Sequence, residues 1–168
     1  MSTAKWFGRK FDFNFGNGKY PAIYERLQQA PDILASIILH IPEDILLYQP
    51  DGKWSVKEHV GHLSILEPLW RTRIQDITQK KAVLTATDLD NKKTSEAGFN
   101  DYTIAALLRK FREERKITLS LLDSMNVPEH SHTSLHPRLE QPMRIIDILY
   151  FTAEHDDHHT AAIRELIG

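Results

Sequence analysis

Four long segments of this chain repeat apolar residues at three- and four-residue steps, which is the spacing of one face of an α-helix. They span residues 20–40, 55–79, 102–125 and 142–168. No stretch alternates apolar and polar residues as a strand does, and no internal repeat is visible. Helices of about 20 residues are about 30 Å long, a length that suits a bundle with ligand sites between facing helices. The pattern therefore predicts an all-α fold, a four-helix bundle.

Local signals mark where these helices begin and end. Ser55 followed three residues later by Glu58 is the sequence of a capping box, which predicts a sharp start for the second helix. Pro142 is placed to open the last helix. Pro31 predicts that the first helix is bent or split there, because a proline ring clashes with the preceding turn. The remaining polar stretches are predicted to be connecting loops, namely residues 80–100 and 129–141.

The periodicity also predicts which side chains are buried. In the third helix, Ile117 is assigned to the buried side together with Leu107 and Phe111, whereas residues 112–116 are assigned to the exposed side. Two tryptophans are expected in the core, namely Trp54 and Trp70. Three alternating phenylalanines are expected in an N-terminal arm that packs on the bundle, namely Phe11, Phe13 and Phe15.

The totals bound the class of protein. A chain of 168 residues fits one domain, residues 1–168, because roughly two thirds of its unfolded surface can be buried on folding. A net charge of −2, a pI near 6.5 and interspersed basic residues argue against nucleic-acid binding. Without cysteine, the chain has no disulfide, no Cys-type zinc site and no thiol nucleophile of its own. We expect a cytoplasmic protein that binds no membrane, since the first residues lack the apolar run of a signal peptide and no segment approaches the roughly 18 apolar residues of a span.

Nine histidines are many for this length, and their placement matters more than their number. His155 and His159 lie four residues apart on the apolar stripe of the last helix, so both rings can reach one ion. A shared metal ion explains the pair, because a buried imidazole is costly unless its nitrogens have partners. The third ligand has to come from another helix, where His59 and His62 border the inner stripe. Two alternatives stay open: core histidines bonded to carboxylates or backbone, or a stripe shifted by one turn that leaves both rings in solvent.

The other histidines are expected to have ordinary roles. Three of them lie in a predicted loop and are expected to be exposed to solvent, although a loop near the mouth of the bundle could contribute a residue to the rim of a site: His130, His132 and His136. His40 is expected to end the first helix, where a cation suits the helix dipole.

Two strings around the candidate ligands resemble motifs of a known family. The second helix begins within G-K-W-S-V-K-E-H-V-G-H-L (residues 52–63), and the last helix contains E-H-D-D-H-H-T-A-A-I (residues 154–163). Both are similar to motifs of the DinB-like (DinB/YfiT-type) superfamily: a tryptophan-serine helix start before Gly-His-Leu, and a histidine followed four residues later by the second of two adjacent histidines. Two further strings resemble one branch of the superfamily, namely W-F-G-R-K-F-D-F (residues 6–13) and E-R-L (residues 25–27). The resemblance covers nearly the whole chain, although the two long loops match only in length and polarity.

The resemblance implies a fold, a site and an assembly. It implies a four-helix bundle of the up-down-down-up type with a divalent metal ion, zinc or nickel, between the second and fourth helices. The implied ligands are His62 from Gly-His-Leu, and His155 and His159 from the last-helix motif. His158 is then a neighbour that does not bind the ion. Homodimers are frequent in the superfamily, so a homodimer is expected.

An ion with three protein ligands and open positions is typical of catalytic rather than structural sites. The expected function is a metal-dependent enzyme acting on a small molecule, either a hydrolase or a transferase that uses a low-molecular-weight thiol, as some members of the superfamily do. The alternative is a non-catalytic bundle that binds a small ligand or partner, with a structural metal ion or none. A DNA-damage-associated module without metal is suggested only by the superfamily's name, and the acidic pI argues against direct DNA binding.

A ligating imidazole normally donates its other N–H to a carboxylate or carbonyl, which orients the ring. Four carboxylates lie close to the candidate ligands in sequence, and the sequence does not select among them: Glu58, Glu67, Asp156 and Asp157. Glu58 has a competing role in the capping box, and the two aspartates are expected on the solvated side of the last helix.

Overall fold

The computed structural model describes residues 6–168, and within them the chain is predominantly helical. The α-helices are α1 (Tyr20–Ile38), α2 (Glu43–Leu46), α3 (Val56–Thr78), α4 (Lys92–Glu96), α5 (Ile104–Asp123) and α6 (Ile145–Ile167). Single 3-10 turns lie at Trp6–Gly8, Asn17–Lys19, Pro50–Gly52, Phe99–Asp101 and Val127–Glu129. The all-α prediction is confirmed, and the four predicted long helices correspond to α1, α3, α5 and α6. The expectation that the chain lacks a signal peptide falls partly on residues 1–5, outside the described residues.

The predicted start of the second long helix is confirmed in atomic detail. The backbone N–H of Glu58 donates to the Ser55 hydroxyl at 3.1 Å, and the backbone N–H of Ser55 donates to the Glu58 carboxylate at 2.8 Å. These two hydrogen bonds complete the capping box and satisfy N–H groups that the first helical turn leaves free. Pro31 does not split α1, which continues through it as one helix.

Two predictions about the connections are wrong. Pro142 does not open the last helix, because it pairs in a short antiparallel sheet of β1 (Ser134–Leu135) and β2 (Pro142–Met143), and α6 begins after Arg144. Residues 80–100 are not simply a loop, since they contain α4 and reach the Phe99–Asp101 turn. Phe99 packs on α3 so closely that a Cβ on Gly61 would overlap its ring. The first connection therefore covers α3 at Gly61, whereas the β1–β2 sheet contacts Lys81 and Val83, which follow the other end of α3.

The four long helices bury two separate apolar clusters. One contains Leu27, Trp70, Ile148 and Phe151, and the other contains side chains farther along the bundle such as Leu34, Val60, Phe111 and Ile163. Each of α1 and α3 packs against both α5 and α6. A layer of buried polar residues lies between the clusters on α3, α5 and α6, namely His62, Glu67, Arg115, Thr118, His155, Asp156 and His159. The three candidate ligands His62, His155 and His159 all lie in this central polar layer.

The layer overturns three burial predictions. Arg115 is only 1% exposed and occupies the apolar stripe of α5, although residues 112–116 were assigned to solvent. Ile117, assigned to the core, is 52% exposed. Asp156 is buried rather than solvated, whereas Asp157 is exposed as expected. Arg115 is buried with ion pairs to Glu67 at 2.7 Å and to Asp156 at 2.8 Å, while burial raises the pKa of Asp156 to about 7.

No helix among residues 6–168 is both long enough and apolar enough to cross a lipid bilayer.

Candidate metal centre

Three histidines from two helices meet in the central polar layer. His62 extends from α3, and His155 and His159 extend from successive turns of α6. The Nε2 atom of His155 lies 3.4 Å from Nε2 of His62 and 3.1 Å from Nε2 of His159. Each residue offers a ring nitrogen within 4.8 Å of those of the other two. Such a spacing allows one small ion to contact all three nitrogens.

The outer nitrogens of two of these rings are held by neighbouring side chains. Nδ1 of His62 lies 2.9 Å from the Thr94 hydroxyl on α4, and Nδ1 of His159 lies 2.8 Å from Nδ1 of His59 on α3. If the His62 Nδ1–H donates to Thr94, the lone pair of its Nε2 is directed to the common centre. Nδ1 of His155 is buried, with no hydrogen-bond partner among the described residues.

Burial keeps these rings neutral. Desolvation, followed by the charges of His59 and His158, lowers the pKa of His62 to about 3. Burial likewise lowers the pKa of His155 and His159 well below the usual value, with their neighbouring histidines as the next cause. Only the unprotonated imidazole can bind a metal ion, and imidazole ligands suit zinc, copper, iron and nickel. The donor set therefore fits one divalent transition-metal ion without any change in protonation.

The side chains that orient the ligand rings are not the four carboxylates that lie near them in the sequence. Glu58 remains in the capping box, Glu67 and Asp156 contact Arg115, and Asp157 pairs with Arg26. Thr94 takes the place expected for a carboxylate, and nothing in its local sequence indicates this, because α4 is a five-residue helix in a polar connection. His59 is the other candidate ligand on the second helix in the sequence. In the structure its Nδ1 contacts the outer nitrogen of His159.

A cavity of about 230 Å³ opens beside the three histidines. Its aromatic wall contains Trp54, with a ring centroid 4.7 Å from that of His62, and Trp70, at 5.6 Å from His155. Trp70 is buried as predicted, whereas Trp54 is only partly buried. The N-terminal arm (residues 6–16) closes one side, since the Trp6 ring centroid lies 5.1 Å from that of His155. The predicted packing of this arm on the bundle is therefore observed.

The prediction for His136 is wrong. The sequence predicts that it is exposed with His130 and His132, but it is 2% exposed and lines the cavity. The turn between β1 and β2 folds its ring inward, where Nδ1 faces the backbone N–H groups of Arg138 and Leu139, each at 3.2 Å. His132 is exposed as expected, and His130 is half-buried.

The sequence matches the model of one known protein family. The family model of the DinB superfamily matches residues 26–163, which is most of the chain. The chain belongs to the DinB superfamily. The match spans α3 and most of α6, so it includes all three histidines of the centre. No curated protein sequence matches the chain.

A solved structure supports the same fold for this DinB-superfamily chain. It is YfiT from Bacillus subtilis, described as a probable metal-dependent hydrolase with an unusual four-helix bundle topology. The two proteins are 20% identical, and the match covers 94% of this chain and 91% of that chain with a TM-score of 0.78. At this identity the likeness establishes the four-helix bundle alone.

Proposed function

We propose that this protein is a metal-dependent enzyme that acts on a small molecule, with His62, His155 and His159 as the ligands of one divalent ion, zinc or nickel. The observation that carries the proposal is the convergence of three buried, neutral imidazole nitrogens beside a cavity. Membership of the DinB superfamily and the fold shared with a probable metal-dependent hydrolase support it.

The site favours a catalytic ion over a structural one. Structural zinc is usually enclosed by four protein ligands, whereas the group found among residues 6–168 has three. When bound, such an ion supplies Lewis-acid chemistry: it activates a water or thiol nucleophile and polarises the substrate. The protein's own part is to hold three unprotonated rings in place, and to limit water with Trp6, Trp54 and Trp70. The alternative, a bundle that binds a small ligand while its ion only fastens α3 to α6, predicts a fourth protein ligand, and the group found among residues 6–168 has three.

The reaction class we propose is hydrolysis of an ester or amide, or transfer to a low-molecular-weight thiol. A thiol would have to come from a cosubstrate, because the chain contains no cysteine. Comparing hydrolysis and thiol consumption for the same electrophilic substrates distinguishes the two reactions.

Elemental analysis of untagged protein tests the ligand assignment. We expect about one zinc or nickel ion per chain, lost in His62→Ala, His155→Ala and His159→Ala while the helical circular dichroism signal persists. His158→Ala is the matched control, because His158 is adjacent to a ligand but outside the group of three. Wild-type protein that stays metal-free after reconstitution would overturn the proposal.

Two expectations from the sequence belong to the same proposal, namely a homodimer and a cytoplasmic location. Light scattering coupled to size-exclusion chromatography measures the first, and fractionation of the source cells measures the second.

A further inference from the structure

Arg73 places a buried cation in the same cavity as the three histidines. It lies on α3 and lines the cavity, although only 1% of its surface is exposed. The Trp70 ring is close to both groups, with its centroid 5.5 Å from Cζ of Arg73 and 5.6 Å from the ring centroid of His155. The guanidinium and the histidines therefore line one cavity and share Trp70 as a neighbour.

No carboxylate among residues 6–168 forms an ion pair with Arg73, although the charge of Asp76 favours its protonated form. Its Nε donates to the backbone carbonyl of Thr85 at 3.0 Å, and its Nη1 lies 3.2 Å from Nε2 of His136. Its Nη2 is buried without a hydrogen-bond partner among the described residues. The nearby carboxylate of Asp76 is bonded to Lys81 and to the Thr85 N–H. A buried cation in this state is unfavourable unless an anion from elsewhere pairs with it.

Arg115 is a second buried arginine, and it does have carboxylate partners. It is also 1% exposed, but it pairs with Glu67 at 2.7 Å and with Asp156 at 2.8 Å, and it donates to the Leu27 carbonyl. Where a buried arginine serves the fold, this chain provides carboxylates for it. Arg73 differs in that it lines a cavity and forms no ion pair with a carboxylate of residues 6–168.

The charge of the cavity favours an anion. Arg138 lines it beside Arg73, and the lining acid Asp88 already accepts backbone N–H groups from Asp90 and Lys92 at 3.1 and 2.6 Å. Burial, followed by the charge of Arg138, lowers the pKa of Arg73 to about 10, which still leaves it protonated at neutral pH. The wall between Arg73 and the histidines is aromatic, with Trp6, Trp70 and Phe151 among the lining residues.

We propose that Arg73 is a substrate-binding residue whose guanidinium donates a hydrogen bond to a carboxylate of the substrate, with Arg138 adding positive charge. The substrate class is then a small organic acid whose apolar body lies along the aromatic wall and whose reacting group faces the histidines. The reaction that such an acid undergoes rests on the proposed function, but the carboxylate binding needs no metal ion.

Benzoate and benzamide are suitable probes, because they share a shape and differ in charge. Each is titrated into chelator-treated, metal-free protein and followed by calorimetry. We expect benzoate to bind at least about tenfold more tightly than benzamide, as a charge-assisted hydrogen bond gives. Arg73→Met should abolish this preference. Arg71→Gln is the matched control on the same helix and should keep it, because Arg71 pairs with Glu114 and is not among the cavity-lining residues.

Equal binding of benzoate and benzamide to wild-type protein would overturn the inference. A preference for benzoate that survives in metal-free Arg73→Met would also overturn it. If Arg73→Met does not fold, nitrogen NMR of the guanidinium groups in wild-type protein takes its place: a shift of the Arg73 resonances with benzoate but not benzamide supports the inference, and no shift overturns it. A preference that arises only after metal loading and persists in Arg73→Met assigns the carboxylate to the ion instead. If the protein never binds metal but still prefers benzoate through Arg73, the proposed function is wrong. The inference that Arg73 binds a carboxylate then still holds.

Discussion

At the scale of single residues, the candidate centre depends on side chains that fix the orientation of its rings. An imidazole can present either nitrogen to an ion, and the choice is set by the partner of the other nitrogen. For His62 that partner is the Thr94 hydroxyl at 2.9 Å, and for His159 it is Nδ1 of His59 at 2.8 Å. A hydroxyl and a second imidazole thus replace the carboxylates that commonly serve this purpose.

Thr94→Val should weaken the binding of the metal ion by about 10- to 100-fold, because loss of a partner that orients a ligand has effects of this size. Valine has nearly the shape of threonine, so the change removes the hydroxyl and little else from this buried position. Competition with a chelator of known affinity measures the effect. Thr94→Ser keeps a hydroxyl and is the control. If both variants bind the ion as wild type does, Thr94 does not orient His62.

At the scale of elements, the N-terminal arm acts as one wall of the cavity. The Trp6 ring packs on Phe151 and His155 with centroid distances of 5.0 and 5.1 Å, and Arg9 forms an ion pair with Glu154 on α6. Glu154 also pairs with Arg26 of α1 at 2.7 Å, so one carboxylate joins the arm to two helices. The arm is therefore held both by apolar packing and by a charged contact.

Glu154→Gln should loosen this arm. Loss of the ion pair with Arg9 is expected to cost about 1 kcal/mol of local docking free energy, or about a fivefold increase in the opening equilibrium. Amide hydrogen exchange of residues 9–16 measures it, compared with exchange in the core of α3. Asp157→Asn is the matched control, because Asp157 is exposed and contacts Arg26 rather than Arg9. Equal exchange in the two variants would contradict the role of Glu154.

Asp76 connects the end of α3 to the segment that follows it, and it makes stability depend on pH. Burial alone would raise the pKa of Asp76, but hydrogen bonds from Lys81 at 2.6 Å and from the Thr85 N–H at 2.7 Å outweigh burial and hold the pKa below 3.8. Because the folded-state pKa is the lower one, the stabilisation is complete above the unfolded value. It is lost as the pH falls through the folded value.

The expected result is that Asp76→Asn is less stable than wild type at neutral pH and that this difference narrows as the pH falls below about 4. Urea unfolding of metal-free protein from about pH 7 to about pH 2 measures the free energy of unfolding of wild type and of Asp76→Asn at each pH. Asp32→Asn is the control, because its carboxylate is 73% exposed and pairs with Arg112 at the surface, where an ion pair contributes little. A constant difference across this range would contradict the role assigned to Asp76.

At the scale of the whole molecule, much of the fold could be predicted from sequence, but the central polar layer could be predicted only in part. Apolar periodicity and the capping box are local signals, so the four long helices and the start of α3 followed from them. The spacing of His155 and His159 is local too, and it places both rings on one face. Burial of Arg115 and Asp156 depends on partners from three different helices, which no spacing within one helix reveals. His136 is buried by strand pairs only two residues long, too short to leave a sequence pattern.

Arg115 should therefore be more important to the bundle than its place in a run of charged residues suggests. It contacts Glu67 of α3, Asp156 of α6 and the Leu27 carbonyl of α1 while lying on α5, so one side chain joins all four long helices. Arg115→Met should lower the free energy of unfolding by about 3–5 kcal/mol, because it leaves two buried carboxylates without a cation. Urea unfolding at neutral pH measures the loss.

Two further variants separate the loss of charge pairing from the loss of a large side chain. Arg112→Met removes an arginine one turn earlier on α5 that pairs with exposed Asp32, and it should cost less than about 1 kcal/mol. Adding Glu67→Gln to Arg115→Met should restore part of the lost stability, because one uncompensated buried charge disappears. If the double variant is instead less stable by the sum of two independent losses, Arg115 stabilises the bundle by packing, and the polar layer is not held by charge.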